Sequence, residues 1–527
     1  MSNEYQTRSA RLKRNVSPQK VAPIEADSAT AEIQDQQRAP LRKSRSNKQV
    51  SPHENRIAQR SSLPLWLYGL LGSLSVLLSL TFYTFPLWRM QATAIQSQNL
   101  YSGLAMQHGL VPYNDFFGTG GSIFYLINWL GNLGGSTWLL WIFGIIALLI
   151  SGLLTYKLAN QQTQNQTAAT IVSAFTLVVI AGMARGGDAP TLFALPFALW
   201  GALFLNQYFR EASTDRGFIR FGMAGAMTLV ISPIMSVFFL MSMLALLIYN
   251  PLNRRFWRGF YQLLSALLGV LLVGYSVAYY ALQEQTLYTS IEQSILIPLS
   301  QFGTASDLPI VLAKSLVMIL IFGGVTGFIQ GILQLKNSGS ALIWHTLLLL
   351  GTVVVTILVV FNKNFDSSNL LAALPFMLVF TGLSIKDNDK ILLKYLQNRL
   401  FAPILAILFV LLTPIVYSFQ NRTIFAEEKA VVRYLTNHAT SSDRVYAVAE
   451  TKNINNLSRK VATIDNVPAH FPIKFSQAFD LKVGQLTDKY VVLEAGQKLP
   501  KSLSTVLSKE YKVTTYSGQY FRIYEKK

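Results

Sequence analysis

The sequence contains no cysteine and few charged residues. Because none of its 527 residues is a cysteine, disulfides, thiol nucleophiles and cysteine metal sites are excluded. Charged residues make up only 13% of the chain and hydrophobic residues 51%, which is more apolar than a soluble globular protein allows. Most of the chain is therefore expected to face lipid or other helices.

Acidic residues are scarce, since 26 Asp and Glu stand against 45 Lys and Arg and leave a net charge of +19. The basic residues are dispersed between apolar runs instead of lining an aromatic-rich groove, so no nucleic-acid partner is expected. Residues 1–62 contain the clusters RLKR and LRKSRSNK and too few apolar residues to fold. They are predicted to form a disordered basic cytoplasmic tail, which either rests on anionic membrane lipid or only fixes the topology.

About eleven apolar runs within residues 63–419 approach the ~20 residues needed to cross the hydrocarbon core. The longest of them is Leu308 to Leu335. Alternate connections carry many basic residues, such as Arg254 and Arg255, and the opposite connections carry few. This positive-inside pattern predicts a polytopic α-helical protein of the cell membrane, with its N-terminus in the cytoplasm and its C-terminus outside.

After Gln420 the long apolar runs give way to alternating helix and strand patterns. Residues 420–527 are therefore predicted to form a small extracellular α/β domain that recognises or packs. The absence of cysteine from an exported domain favours a bacterial source. No metal site is expected, because His438 and His470 lack partners at ligand spacing. The predicted elements are a helix at Glu427–Asn437, strands at Arg444–Ala449 and Tyr490–Glu494, a helix at Leu503–Tyr511 and a hairpin within Lys512–Tyr524.

The loop after the first span, residues 89–121, is far too long for a simple turn, and long loops in compact proteins usually carry function. We call it the first loop. It contains QSQN, then Tyr101, then HGLVPYNDFFGTGG, and SIFYLINWLGNLGG follows it. Aromatic residues recur there at a spacing that suits a helix lying in the membrane interface, although they would also stack on a sugar. They are Phe116, Phe117, Phe124, Tyr125 and Trp129.

These motifs resemble the polytopic GT-C glycosyltransferases, in the branch related to protein O-mannosyltransferases and lipid A aminoarabinose transferases. The resemblance rests on the VPYNDFF element directly after the first span. It continues in NFDSSNLLAALPF, at Asn364 to Phe376, and in TSSDRVYAVAETKNINNLSRK near the C-terminus. It implies a GT-C-like membrane domain that transfers a sugar from a polyprenyl-phosphate carrier, on the outer face, to a cell-envelope glycan or lipid-linked acceptor. No cofactor is implied, and a divalent metal is left open.

In this family an acidic residue usually stands near the start of the first loop, where this sequence has Gln96. A carboxylate would serve as the general base for the acceptor hydroxyl, so Asp115 and Asp366 are the catalytic candidates. Asp115 also suits a turn or helix cap. The candidate contacts to carrier phosphate, sugar or acceptor are Arg89, Gln96, Asn99, Tyr101, His108, Tyr113, Arg185, Asp188, Lys314 and Lys363.

Several of these residues have a plainer interpretation. Asp188 and Arg185 suit an interspan turn with a local pair, and Lys314 lies in an apolar stretch from which it can reach the interface. Two other functions remain open: a transporter or flippase of a lipid-linked saccharide, and a catalytically inactive scaffold. Gln96 favours the scaffold, whereas the absence of an internal repeat disfavours the transporter.

Overall fold

The computed structural model describes residues 63–87, 92–210, 215, 217–303, 308–363, 365–386, 401–468, 471–497 and 499–527. The predicted tail, Arg89 and His470 lie outside the described residues. The helices are α1 (Leu65–Ser79), α2 (Ala94–Gln107), α3 (Ser122–Gly131), α4 (Trp138–Thr163), α5 (Gln166–Ala184), α6 (Pro190–Phe209), α7 (Gly217–Ile231), α8 (Pro233–Leu252), α9 (Phe256–Gln283), α10 (Leu287–Ile291), α11 (Ile297–Ser300), α12 (Leu308–Ile321), α13 (Gly324–Leu335), α14 (Leu342–Val360), α15 (Leu374–Lys386), α16 (Phe401–Gln420), α17 (Arg422–His438), α18 (Asn453–Ser458), α19 (Ile473–Val483) and α20 (Lys501–Glu510).

Seven described helices are long and apolar enough to cross a membrane: α4, α5, α6, α8, α9, α14 and α16. The pair α12 and α13 makes an eighth if it counts as one span. Helices α1, α7 and α15 are apolar but have only 15, 15 and 13 residues. At 1.5 Å per residue, none of them reaches ~30 Å by itself. By length, the described helices therefore give fewer spans than the eleven apolar runs.

The apolar run from Leu308 to Leu335 is broken into two helices in the structure. The chain bends by 71° between α12 and α13. Gly323 has φ +71°, a left-handed conformation that glycine adopts without a steric cost, and Gly324 follows it. A hydropathy run does not register this bend, because both arms of it are equally apolar.

Small residues let the membrane helices approach one another closely. A Cβ atom on Gly222 of α7 would overlap the Ala266 carbonyl of α9, and one on Gly269 would overlap the Ile219 carbonyl. Ser173 of α5 donates to the Gly152 carbonyl of α4 at 2.7 Å. Lipid tails are as apolar as the helix surfaces, so no hydrophobic force drives helices together inside a bilayer. Close backbone packing of this kind drives their association instead.

The chain after α16 forms a four-stranded sheet with flanking helices. Its strands are β1 (Val445–Val448), β2 (Tyr490–Glu494), β3 (Tyr511–Val513) and β4 (Phe521–Lys526), in the order β1-β2-β4-β3. The pair β1 and β2 is parallel, and the other pairs are antiparallel. The predicted helices, strands and hairpin all match elements of this C-terminal segment, residues 421–527. Its two faces each bury an apolar cluster.

Candidate functional site

Helix α2 of the first loop packs against α3, the helix that directly follows the loop. Gly103 of α2 lies against the Asn128 backbone and the Asn132 side chain, where any Cβ would overlap. Gly121 donates its N–H to the Ile231 carbonyl, at the point where α7 meets α8, at 3.0 Å. Phe116, Phe124 and Tyr125 are buried, at 1%, 0% and 3% exposure. The aromatic segment is therefore largely core, and the prediction of an interfacial helix is wrong for these three residues.

Gln96, at the position of the missing acid, has a structural role. Its Nε2 donates to the Arg185 carbonyl at 2.9 Å, and its Oε1 accepts from the Thr93 N–H at 3.4 Å as part of a capping box. Gly186, with φ +127°, leaves room for this side chain, because a Cβ there would overlap it. The carboxamide thus joins the start of α2 to the turn after α5.

Arg185 stands at the edge of a cleft with its charge uncompensated. The cleft is lined by Thr81, Tyr83, Ala181, Gly182, Arg185, Phe409, Val410, Thr413 and Pro414. The guanidinium lies 6.0 Å from the centroid of the Phe409 ring, and its buried Nε has no hydrogen-bond partner. Among the described residues no carboxylate pairs with it. A guanidinium beside two hydroxyl groups and a phenol suits an oxyanion such as a phosphate.

Asp188 is buried at 1% exposure and, among the described residues, forms no ion pair with Arg185, so the predicted local pair is wrong. Its Oδ1 accepts from Asn128 Nδ2 at 3.0 Å, and its carbonyl accepts from Asn99 Nδ2 at 2.8 Å. Burial raises the pKa of Asp188 to about 7, against a smaller opposing effect of the Asn128 hydrogen bond. Asp188 Oδ2 and Asn128 Oδ1 are both buried without a partner. A proton on Oδ2 supplies a donor where two acceptors otherwise lack one.

The two catalytic candidates are both held by their own turns. Asp115 Oδ2 accepts from the Val111 N–H at 2.8 Å, and Oδ1 accepts from Asn114 at 3.2 Å. Asp366 caps the short 3₁₀ helix Ser367–Ala372, with its carboxylate accepting from the Ser368 N–H at 3.0 Å and from Oγ at 2.6 Å. Each carboxylate is half-buried and keeps accepting capacity. Thr191, at the start of α6, donates to the Ser368 carbonyl at 2.9 Å, which places the Asp366 turn beside the Arg185 segment.

The remaining predicted contacts are dispersed. Tyr101 is buried under the C-terminal segment, where its hydroxyl accepts from the Ala462 N–H at 3.1 Å. Tyr113 has φ +67° and donates to the Gly120 carbonyl at 2.8 Å, so it shapes the turn. His108, Lys314 and Lys363 are exposed. Of the predicted residues, the structure brings together Gln96, Asn99, Arg185 and Asp188.

A buried ion pair in the C-terminal segment holds the first loop, and the sequence did not reveal it. Lys452 Nζ lies 2.6 Å from Asp465 Oδ1, with the two side chains 7% and 2% exposed. Asp465 Oδ2 accepts from Gln98 Nε2 at 2.9 Å and from the Phe117 N–H at 3.3 Å, so it bridges the two ends of the loop. Gln98 and Asp465 lie 367 positions apart, and no local sequence pattern marks their contact.

In the described part of the chain, no three His, Asp or Glu side chains come together in a way that could hold a metal ion.

Comparisons with known proteins give a family and a fold. The family model described as "Putative competence-induced protein Ccs4 N-terminal domain" matches residues 57–422, and the model of the Ccs4 C-terminal domain matches residues 425–527. No curated protein matches the sequence.

Two solved structures are similar over most of the chain. ArnT from Cupriavidus metallidurans, bound to undecaprenyl phosphate, has a TM-score of 0.59 at 10% identity, over 87% of this chain and 97% of that one. The oligosaccharyltransferase AglB from Archaeoglobus fulgidus, in complex with an inhibitory peptide and a dolichol-phosphate, has a TM-score of 0.50 at 11% identity, over 87% and 74%. This multi-pass helical membrane protein thus has the fold of the GT-C superfamily of membrane glycosyltransferases.

Proposed function

The chain belongs to the Ccs4 protein family, and from its GT-C fold we propose that it is a membrane glycosyltransferase. The proposed donor is a sugar on a polyprenyl-phosphate carrier, and the acceptor is a cell-envelope glycan or a lipid-linked molecule. The observation that carries the proposal is the uncompensated Arg185 beside its cleft. A carrier phosphate would satisfy this cation, and the apolar helix surfaces would accept the prenyl chain.

The proposed transfer needs one base and one anion site. The acceptor oxygen forms a bond to the anomeric carbon while the bond from that carbon to the phosphate oxygen breaks. The acceptor proton passes to a carboxylate, and the electron pair of the broken bond stays on the phosphate. Arg185 would stabilise the charge that grows there, which is how fixed cations lower such barriers.

Asp366 and Asp115 remain the proposed bases. Asp366 has the better support, because its turn is tied through Thr191 to the segment that carries Arg185. Asp115 belongs to a turn tied to Gln293, whose Nε2 donates to the Tyr113 carbonyl at 2.7 Å. The proposal keeps four further contacts that the carrier or acceptor would make at the membrane surface: Arg89, His108, Lys314 and Lys363.

The proposed topology has eleven crossings, with the N-terminus in the cytoplasm and the C-terminal segment outside. It is supported by contacts at alternate helix ends. The end of α7 meets the first loop through Gly121, whereas the end of α6 meets the end of α4 through Arg210, which donates to the Gln161 carbonyl at 3.0 Å. Eleven crossings require the short helices α1, α7 and α15 to span.

Binding to undecaprenyl phosphate tests the anion site. Purified full-length protein is titrated with this lipid and with inorganic phosphate, as wild type, Arg185→Gln and Arg258→Gln. The control Arg258 is exposed and already paired with Asp215 at 3.0 Å. We expect Arg185→Gln to weaken lipid binding by at least about tenfold, as for a lost charged hydrogen bond, and Arg258→Gln to leave it unchanged. Equal affinity in all three proteins would refute the anion site.

Transfer itself is tested in a deletion strain. Wild type, Asp366→Asn and Asp115→Asn are expressed at matched membrane levels, and envelope glycans are analysed. We expect wild type to restore a missing sugar and at least one variant to fail. Full rescue by both variants would reject these bases. Treating the purified enzyme with EDTA tests whether transfer needs a divalent metal, which the sequence leaves open.

The role of Gln96 favours a second candidate, a carrier-binding protein without transferase activity. The Oε1 and the Nε2 of its carboxamide are both hydrogen-bonded to backbone groups, and a carboxamide cannot take a proton from a substrate. This candidate predicts lipid binding through Arg185 together with an unchanged glycan profile on deletion. An unchanged profile without lipid binding would refute both this candidate and the transferase.

A further inference from the structure

The C-terminal segment exposes large apolar residues on one helix, α19. Ile473 and Leu481 are 76% and 79% exposed, more than the other exposed large apolar residues of the described C-terminal segment, Leu499 and Val513. The opposite face of α19 is buried, with Phe479 and Val483 in the apolar cluster under the sheet. The helix therefore has an inner face that is fixed and an outer face that leaves apolar surface in water unless something covers it.

This surface adjoins the end of a membrane helix. Lys474 of α19 pairs with Glu292, in the π-helical turn Glu292–Leu296 that joins α10 to α11. The Lys474 Nζ also lies 5.7 Å from the centroid of the Tyr288 ring in α10. Helix α10 follows directly after the spanning helix α9. The ion pair thus places the start of α19 against the segment that follows α9.

The connecting chain is itself apolar on its surface. Near its end, α9 exposes Tyr275 and Tyr279, at 74% and 57%. Tyrosines in such a position mark the interface between membrane and water. The exposed apolar residues that continue from there are Leu282, Tyr288, Ile291, Leu296 and Leu299. These exposed apolar residues form a strip that runs from α9 through α10 to α11 and is interrupted by the exposed polar residues 283–285.

We propose that α19 is an interfacial helix, which rests the C-terminal segment on the lipid leaflet at the end of α9 and inserts Ile473 and Leu481 among the headgroups. Lipid is the occupant that matches, because the strip begins on a surface that already faces lipid.

The same helix touches the first loop. Lys482 Nζ donates to the Asn114 carbonyl at 3.3 Å, and Phe475 packs edge-to-face on Phe117, with ring centroids 5.8 Å apart. Lipid contact by α19 thereby fixes the height of the first loop above the membrane. The inference is independent of whether the protein transfers a sugar.

Site-directed spin labelling tests the proposal directly, since the chain has no cysteine of its own. Ile473→Cys, Leu481→Cys and the control Val513→Cys are labelled with a nitroxide in nanodiscs of phosphatidylcholine and phosphatidylglycerol. Val513 is apolar and 60% exposed but lies on β3, away from the strip in sequence and element. Collision rates are measured with oxygen, which enters lipid, and with a nickel chelate, which stays in water.

We expect labels at positions 473 and 481 to favour oxygen over the nickel chelate, and the label at position 513 to show the reverse. If all three labels favour the nickel chelate, α19 faces water and the proposal fails. If the labels at 473 and 481 are shielded from both reagents, a protein surface covers α19 and the proposal fails as well.

Discussion

At the scale of single residues, Asp188 ties the stability of the protein to pH. Burial raises its pKa to about 7 in the folded protein, from 3.8 for a solvent-exposed aspartate, so between these values the folded state holds a proton that the unfolded chain releases. Stability is therefore lost as pH rises from about 4 to about 7, by at most ~4 kcal/mol. We expect Asp188→Asn to be more stable than wild type at pH 8 and equal to it at pH 4.

Thermal unfolding in detergent across this pH range measures the effect. Burial also raises the pKa of Glu428 to about 7, so wild type and variant share that dependence. The contribution of Asp188 is the difference between their two curves. Parallel curves would mean that Asp188 is ionised in the folded protein.

Gln96 offers a second test at this scale. We expect Gln96→Glu to lower stability by about 1–3 kcal/mol, because the Arg185 carbonyl would then face a carboxylate oxygen instead of an N–H donor. Gln96→Met, which removes the donor without adding charge, separates the two effects in the same unfolding assay. A Gln96→Glu protein as stable as wild type would show that the position tolerates the acid found in the resembled family.

Of the ten contact residues predicted from the sequence, Gln96, Asn99, Arg185 and Asp188 lie together in the structure, where hydrogen bonds join α2 to the turn after α5. Their roles in binding stay predictions. The burial of Asp188 was not predictable, since it depends on Asn128 and on the packing of α3. Lys452 and Asp465 were missed altogether, because neither their ion pair nor the contact of Asp465 with the distant Gln98 leaves a periodic signal in the sequence.

At the scale of elements, the contact between the first loop and the α7–α8 junction depends on one glycine. A Cβ on Gly121 would overlap the Val230 carbonyl, which is backbone and cannot rotate away. We expect Gly121→Ala to destabilise the protein by about 1–3 kcal/mol, as other forms of overpacking do. Gly274→Ala in α9 is the matched control, since nothing lies within 4 Å of its added methyl group.

Both variants are compared with wild type by thermal unfolding in the same detergent. The control is expected to be neutral or slightly stabilising, because alanine favours helix over glycine. Equal melting temperatures for the two variants would contradict the close approach at Gly121.

Hydropathy predicted where most helices lie but not how they bend. The elements of the C-terminal segment were predictable because alternation and helical spacing are local signals. The break between α12 and α13 was not, because the bend is set by the backbone of Gly323 and by the helices around it. The buried aromatic residues of α3 were misjudged for the same reason: packing by α2 and α7 decides their environment.

At the scale of the whole molecule, the Lys452–Asp465 pair joins the C-terminal segment to the first loop. Removing one partner leaves a buried charge unpaired, so we expect Asp465→Asn or Lys452→Met to cost about 3–5 kcal/mol. Hydrogen exchange in α2 should then rise, since Gln98 and Phe117 lose the carboxylate that holds them. The exposed pair Lys512–Glu525, at 3.6 Å, provides the control Lys512→Met, with a cost of ~1 kcal/mol or less.

Unchanged exchange in α2 for Asp465→Asn would show that the first loop holds its shape without the C-terminal segment.

The order of the strands also has a consequence for timing. Strand β4 follows β1, β2 and β3 along the chain, yet it lies between β2 and β3 in the sheet. Before β4 leaves the ribosome, the sheet lacks the strand that joins its halves. Asp465 itself emerges 367 residues after Gln98, which takes roughly 20–70 s at ordinary rates of synthesis. Throughout that interval the first loop lacks its hydrogen bonds to Asp465. The nascent protein therefore has the residues of the first loop long before it has the carboxylate that fixes them.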